Sequence, residues 1–247
     1  MSCGYYVGMK DLGIIKLSEL KHKGVNNSLM FTIGKDYSNN VVKVDFKDFP
    51  HLLIAGSTGS GKSTLIHTII ANAIKNNIVT YISDPKMEYK KYTDSVDGIY
   101  DSYESTLESL SLIKGTMDSR YEILSRDNTV KFSNILYIID EFADLIYNDM
   151  AKENKSRNEL KNLIVKIAQK SRGANIHLVI ATQRPSVDVV CGIIKSNFPA
   201  RIACRVSSAL DSRIVLDRPG AESLNGKGDA LLVFSDVELR FKVAISD

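Results

Sequence analysis

The stretch Phe49-Pro-His-Leu-Leu-Ile-Ala-Gly56-Ser57-Thr58-Gly59-Ser60-Gly61-Lys62-Ser63-Thr64 restricts the possible folds more than any other part of the 247-residue chain. An apolar run that reads as a buried strand breaks into a glycine-rich turn. The turn opens directly onto Leu65, Ile66, Ile69, Ile70, Ala73 and Ile74, which are spaced as one face of a helix. A strand, a glycine loop and a helix in that order make a cradle for phosphate. Gly56, Gly59 and Gly61 permit backbone conformations that a Cβ resists, so successive N–H groups converge on an anion at the positive end of the helix dipole. Lys62 is then placed to reach the β and γ phosphates of a nucleotide, and the Ser63 hydroxyl to hold Mg²⁺.

Composition sets outer limits. The chain fits one α/β domain with a short N-terminal extension: residues 1–30 have no readable structure or chemistry, and 31–247 form the main domain. Its 44% hydrophobic and 25% charged residues describe an ordinary globular protein rather than a disordered or repetitive one. The net charge of +3 is too small to argue for or against nucleic acid, because a basic channel can sit on a nearly neutral protein. Cys3, Cys191 and Cys204 lack the spacing of a metal site or a disulfide framework, which favours a reducing cytoplasmic setting. Cys191 and Cys204 read as packing residues. No apolar run approaches the ~20 residues needed to span a bilayer, so no membrane span is expected.

Phe31–Lys35 and Val41–Phe46 flank a turn-rich centre and predict a β-hairpin leading into the loop strand. Ile78–Ile82 predicts a second strand that ends at Ser83-Asp84-Pro85-Lys86, leaving Asp84 and Lys86 at its carboxyl end. There Asp84 suits a turn cap as well as a site. Leu107, Leu110, Ile113, Met117, Tyr121 and Leu124 give the face of a long helix. The almost wholly apolar Asn134-Ile-Leu-Tyr-Ile-Ile then ends in Asp140-Glu141, two carboxylates for which a buried strand has no use except at a site on its tip. Asp140 suits the Mg²⁺ shell, and Glu141 suits the orientation or deprotonation of water. A third buried strand, Ile176–Thr182, carries Gln183 at its tip. In motors with a glutamate after the strand-tip aspartate, such a strand lies between the other two, so Gln183 is expected to touch the γ-phosphate. His177 reads as a packed residue. Ala230–Phe234 and Val237–Ile245 predict a terminal hairpin. Together these residues define a nucleoside-triphosphate hydrolase on a mainly parallel sheet. A nucleotide kinase has no need of Glu141 and usually brings an arginine-rich lid, which is not found in the sequence.

Several strings carry a resemblance beyond this chemistry. They are Ile139-Asp-Glu-Phe-Ala-Asp-Leu145, Ala168-Gln-Lys-Ser-Arg-Gly-Ala-Asn-Ile-His-Leu178, Ala181-Thr-Gln-Arg-Pro-Ser-Val-Asp-Val189 and Gly220-Ala-Glu-Ser-Leu-Asn-Gly-Lys-Gly-Asp229, with Asp84-Pro-Lys and Met117-Asp-Ser-Arg-Tyr121 upstream. In this order, from about Gly34 to Phe234, they resemble the motor domain of the FtsK/SpoIIIE DNA translocases. The resemblance implies a RecA-like P-loop ATPase, with helices on both sides of its sheet and hairpins at both ends, assembled as a hexameric ring. It implies ATP held between subunits and double-stranded DNA drawn through the centre. Arg172 matches the arginine that the family inserts into the neighbouring subunit's ATP site, and Arg213 a second basic position near that interface. Ser186–Lys195 matches a segment near the pore, where Lys195 is expected to meet phosphates.

The sequence also departs from the family. Ala209 stands where a basic residue is usual, and the stretch between Tyr121 and Asn134 is shorter than in the large chromosome translocases. The chain carries neither membrane segments before the motor nor a winged-helix module after it, which leads us to expect a compact motor of a plasmid, phage or conjugative element. Two further functions stay open at this stage: a related ring ATPase that moves protein or couples a relaxase to a membrane channel, and an assembly module that barely hydrolyses.

Overall fold

A computed structural model of the protein describes residues 12–20, 25–147 and 154–246. Cys3 and the rest of the first eleven residues lie outside the described part. Ten strands form one sheet. In chain order they are β1 (Met30–Asp36), β2 (Val41–Asp45), β3 (His51–Ala55), β4 (Val79–Ser83), β5 (Gly98–Tyr100), β6 (Ile135–Ile139), β7 (Ile176–Thr182), β8 (Ala200–Cys204), β9 (Asp229–Phe234) and β10 (Val237–Val243). Across the sheet they run β2-β1-β10-β9-β8-β3-β7-β6-β4-β5. The six from β8 to β5 are mutually parallel, and the other four are joined on antiparallel.

β3, β6 and β7 are buried along their whole length, which is why they read as unbroken apolar runs rather than alternating ones. Alternate residues supply two cores. Leu53, Tyr137, Ile139, Leu178 and Ile180 face α2 (Tyr103–Arg126) and α4 (Asn154–Lys170) through Leu110, Ile113, Met117, Leu160, Ile164 and Ile167. Leu52, Ile54, Leu136, Ile138 and Val179 face α1 (Lys62–Lys75) through Leu65, Ile66, Ile69 and Ile70. Both faces of the parallel region are therefore covered, so the carboxyl-end edge is where functional groups reach solvent. The short helices α3 (Phe142–Tyr147), α5 (Gly192–Asn197) and α6 (Ala209–Leu216) complete the chain order.

The fold is the expected one, with two refinements. The predicted N-terminal hairpin, β1–β2, does precede β3 in sequence, but it joins the far end of the sheet by pairing β1 with β10. The three-residue β5, which contains Gly98, was not anticipated; it is too short and too rich in turn residues to announce itself, and it is held by its register on Tyr81–Ser83. Residues 12–20 pack with Ala244 and Ala71, and β1 begins at Met30.

A buried ion pair ties the added strands to one another. Asp229, at the start of β9, receives hydrogen bonds from Arg240 Nε (3.0 Å) and Nη2 (2.6 Å), from Tyr37 Oη (2.9 Å) and from the Asn225 amide (2.8 Å). Burial works to raise the Asp229 carboxyl, but these donors outweigh it and hold the carboxyl below the ordinary carboxylate range. At the opposite edge, burial first, and then the neighbouring His177, lowers His51 to about 3. Burial likewise lowers His177 to about 4. His51 contacts Ala168 O through Nε2 and accepts the Leu178 amide at Nδ1, so it is needed in the neutral form.

Two predictions follow from these buried groups. Removing one partner from a buried pair costs about 3–5 kcal/mol, so Arg240→Met should lower the unfolding free energy in urea by that order. Both imidazole pKa values are depressed on folding, so their contribution is complete above about pH 6.5 and is lost progressively as pH falls from there to the folded values of about 3 and about 4. The urea midpoint should therefore drop between pH 7 and pH 5, and a flat profile would contradict buried neutral histidines.

Candidate nucleotide site at the carboxyl edge of the sheet

The turn between β3 and α1 is shaped by contacts as much as by glycine freedom. Gly59 (φ +74°) and Gly61 (φ +105°) occupy the left-handed region, which L-residues with a Cβ rarely adopt. Gly56 does not; it is required because a Cβ there would meet Ser60 Oγ at 2.5 Å and Cys204 Cβ at 2.8 Å. At Gly61 the constraint is double, since a Cβ would lie 2.3 Å from the Gly228 amide nitrogen. The glycine turn after α6 thus supports the phosphate loop from behind. The Gly228 amide donates to Ser60 O (2.8 Å), and the Lys227 amide donates to Gly59 O (3.4 Å). Cys204 is a packing residue in this layer, its thiol pushed up to about 12 by burial. Cys191 is half-buried at the start of α5.

β7 lies between β3 and β6, as the polar tip of Gln183 suggested, and this order brings Lys62, Asp140, Glu141 and Gln183 together. Lys62 and Asp140, both nearly inaccessible to solvent, form an ion pair. The other Asp140 oxygen accepts from Tyr89 Oη at 3.1 Å. Burial, and then the Asp140 charge, raises the Tyr89 phenol, so it stays protonated and able to donate. Glu141 has φ +53°, an uncommon left-handed conformation for a residue with a Cβ. Its Oε1 accepts from the Gln183 amide (3.0 Å) and Thr182 Oγ1 (3.2 Å), and its Oε2 from Lys86 Nζ (3.0 Å). Burial works to lower the Lys86 amine, but Glu141, Asp144 and Asp140 outweigh it and raise it, so Lys86 remains a cation. The Gln183 side chain reaches back to the phosphate loop, where Thr58 Oγ1 donates to its Oε1 (3.1 Å).

Ser63 Oγ donates to Glu88 (2.8 Å), and Ser57 Oγ to Arg205 O (2.9 Å). Ser60 is buried under the loop, while Ser63, Thr64 and Thr58 line a cleft of about 640 Å³ with Gly59, Gly61 and Lys62. Among the described residues no group of three or more His, Cys, Asp or Glu is arranged to hold a metal by itself. The Ser63 hydroxyl and the Asp140 carboxylate are hard oxygen donors of the kind that suits Mg²⁺ shared with nucleotide phosphates. The left-handed Gly59 and Gly61 and the helix N-terminus that opens at Lys62 fit a phosphate chain.

Other expected positions fall elsewhere. Asp84 is a turn cap: its carboxylate accepts the amides of Glu88 (3.0 Å) and Tyr89 (2.8 Å). Lys195 pairs with Asp217 (2.5 Å), which also pairs with Arg201 (2.5 Å). Arg172 is exposed in the turn Ser171–Ala174 that precedes β7, and its Nη2 donates to Lys47 O at 2.9 Å. That turn is at the amino end of β7, whereas Gln183 is at the carboxyl end. Six strand steps at ~3.3 Å each separate them by ~20 Å. Sequence reasoning had singled out neither Tyr89 nor Glu88, which sit in an irregular turn, and it had assigned no role to the residues from both chain ends that line the cleft.

The FtsK/SpoIIIE family profile matches residues 18–134 and 125–187. The chain belongs to that family of P-loop ATPases. Among its relatives are the DNA translocase FtsK of Borreliella burgdorferi, 39% identical over 83% of this chain and 28% of the relative, and the DNA translocase SftA of Bacillus subtilis, 38% identical over 83% of this chain and 23% of the relative. The chain therefore spans about a quarter of these relatives' length. Solved structures share the fold. The pCW3 conjugation coupling protein TcpA, with ATPγS, superposes with a TM-score of 0.82 at 24% identity over 97% of this chain and 72% of TcpA. The cytoplasmic domain of the Thermomonospora curvata type VII secretion ATPase EccC gives 0.72 at 23% identity over 91% of this chain and 29% of EccC. No helix among the described residues is long and apolar enough to cross a membrane.

Because Gly61 combines a left-handed φ with contact to the Gly228 backbone, Gly61→Ala should distort the loop and reduce ATP affinity at least about tenfold, a loss of about 1.4 kcal/mol, in calorimetric titration. Gly115 has open space around its missing Cβ and lies in helix α2, so Gly115→Ala should leave binding unchanged.

Proposed function

We propose that the protein is an ATP-driven motor that moves double-stranded DNA through a ring of identical subunits, six by analogy with the family. What carries the reading is the meeting of Lys62, Asp140, Glu141 and Gln183 at one sheet edge, in a chain 38–39% identical to DNA translocases.

In this reading the amides of the first turn of α1, Lys62–Thr64, and the Lys62 ammonium bind the phosphates, and Lys62 exchanges Asp140 for them. Ser63 and Asp140 would hold Mg²⁺, which when bound would offset charge on the phosphate oxygens. Glu141 orients a water and accepts its proton as the new O–P bond forms and the bridge to the β-phosphate breaks, leaving ADP and phosphate. Gln183, hydrogen-bonded to Thr58 and adjacent to Glu141, lies along the path by which loss of the γ-phosphate would be felt on β7. Arg172 is too far from its own Lys62 to serve it, which supports a role in a neighbouring subunit's site. A relaxase or channel partner belongs to this proposal only as context.

Glu141→Gln should abolish turnover while ATP binding persists, and Arg172→Ala should do the same by a different route. If the site is shared, mixing the two inactive variants should restore part of the activity, because some seams then carry both an intact Glu141 and an intact Arg172. Mixtures that stay inactive while forming mixed oligomers would contradict a shared site. Linear duplex at low salt should stimulate ATP turnover. An oligomer indifferent to duplex, but stimulated by a polypeptide, would count against DNA as the cargo.

A further inference from the structure

The cleft over the phosphate loop does not end at the phosphates. It continues along a wall built from the two ends of the chain, Gly13, Ile14 and Ile15 on one side and Lys242, Val243 and Ile245 on the other. Ile15 and Val243 are buried, but Ile14 is 75% exposed and Ile245 41% exposed, so two branched aliphatic side chains stand in solvent beside a polar anion site.

The wall has a fixed position. The Ile245 amide donates to Ile15 O (2.8 Å), the Leu17 amide donates to Ile245 O (2.9 Å), and Lys16 and Ile245 form a parallel bridge. Thr68 on α1 donates to Ala244 O, which anchors the strand end to the same helix that opens at Lys62. The Val243 amide donates to Gly228 O (2.8 Å), the residue that backs Gly61. Two independent attachments therefore hold the apolar wall and the phosphate loop in one rigid relation.

We infer that Ile14 and Ile245 form the platform for the nucleobase of the bound nucleoside triphosphate, covering one face of a flat ring with aliphatic surface while the phosphates lie on the phosphate loop. The inference rests on the phosphate-loop reading above and adds the part of the site that reads the base. The occupant follows from continuity, because a ligand anchored by its phosphates at Lys62 extends along the same cleft. The chemistry agrees: the phosphate end is lined by amides, hydroxyls and a cation, whereas the far wall offers apolar surface suited to an aromatic ring, where removal from water is favourable in proportion to the area covered. Residues 12–17, to which no local pattern assigns chemistry, acquire a role by this geometry.

The test is calorimetric titration of the full chain and of Ile14→Asp, Ile245→Asp and Lys62→Ala with ATP and, separately, with inorganic tripolyphosphate, which has no base. Ile14 and Ile245 are exposed enough to be replaced without disturbing the core. Each aspartate variant should weaken ATP binding by about tenfold or more while tripolyphosphate affinity stays within about twofold, which also shows that the loop is intact; Ile14→Trp should retain or tighten ATP binding. ATP affinity that depends on Lys62 but is untouched in both aspartate variants would overturn the platform alone. So would an equal loss of both ligands. ATP affinity identical in wild type and Lys62→Ala would instead overturn the phosphate-loop reading, and the platform with it.

Discussion

The rest of the site depends on a lysine and an aspartate that neutralise each other beneath the phosphate loop. Lys62 and Asp140 come from elements 78 residues apart, and each is almost fully withdrawn from water. Charges so buried persist only when paired and hydrogen-bonded. The pairing needs β7 between β3 and β6, so that two strand tips converge, and it needs Tyr89 to occupy the second Asp140 oxygen. A phosphate arriving at the loop would compete for Lys62 and release Asp140 for another cation. The same pair is thus suited to a ligand that brings its own anion and metal.

Around this pair the carboxyl edge is nearly self-satisfied. Glu141 is held by Thr182, the Gln183 amide and Lys86; Ser63 is held by Glu88, and Gln183 by Thr58. The left-handed φ of Glu141 is held because three donors, two at the tip of β7 and one in the turn after β4, fix its carboxylate. Arg172, for which a role in phosphoryl transfer is proposed, lies at the opposite, amino-end edge. A strand about 20 Å long keeps its two ends from one ligand, and the proposed sharing of the site between copies would bring them together.

Much of this arrangement was legible before any coordinates, because buried parallel strands leave an unmistakable signal: unbroken apolar runs that stop abruptly at polar tips. The runs ending at Gly56, Asp140 and Gln183 located the site, and the expected order of β3, β7 and β6 followed from the chemistry at their ends. What escaped was non-local or irregular. Tyr89 and Glu88 lie in a turn capped by Asp84, where no periodicity marks them. β5 is three residues long. Ile14 and Ile245 line one cleft with the phosphate loop because residues 15 and 245 pair, a contact across more than 200 positions that no local pattern encodes. The two glycines with left-handed φ were readable as loop formers, whereas the need for Gly56 arises from Cys204, a residue on a neighbouring strand.

The most direct measurement of the central claim, that cleavage needs a second copy, is ATP turnover per subunit followed across a dilution series in parallel with the sedimentation-determined state of assembly. The account predicts specific activity that falls towards zero as the oligomer dissociates and that saturates when assembly is complete. Constant specific activity down to concentrations at which the protein is monomeric would show that Arg172 of a neighbour is not required, and would contradict it.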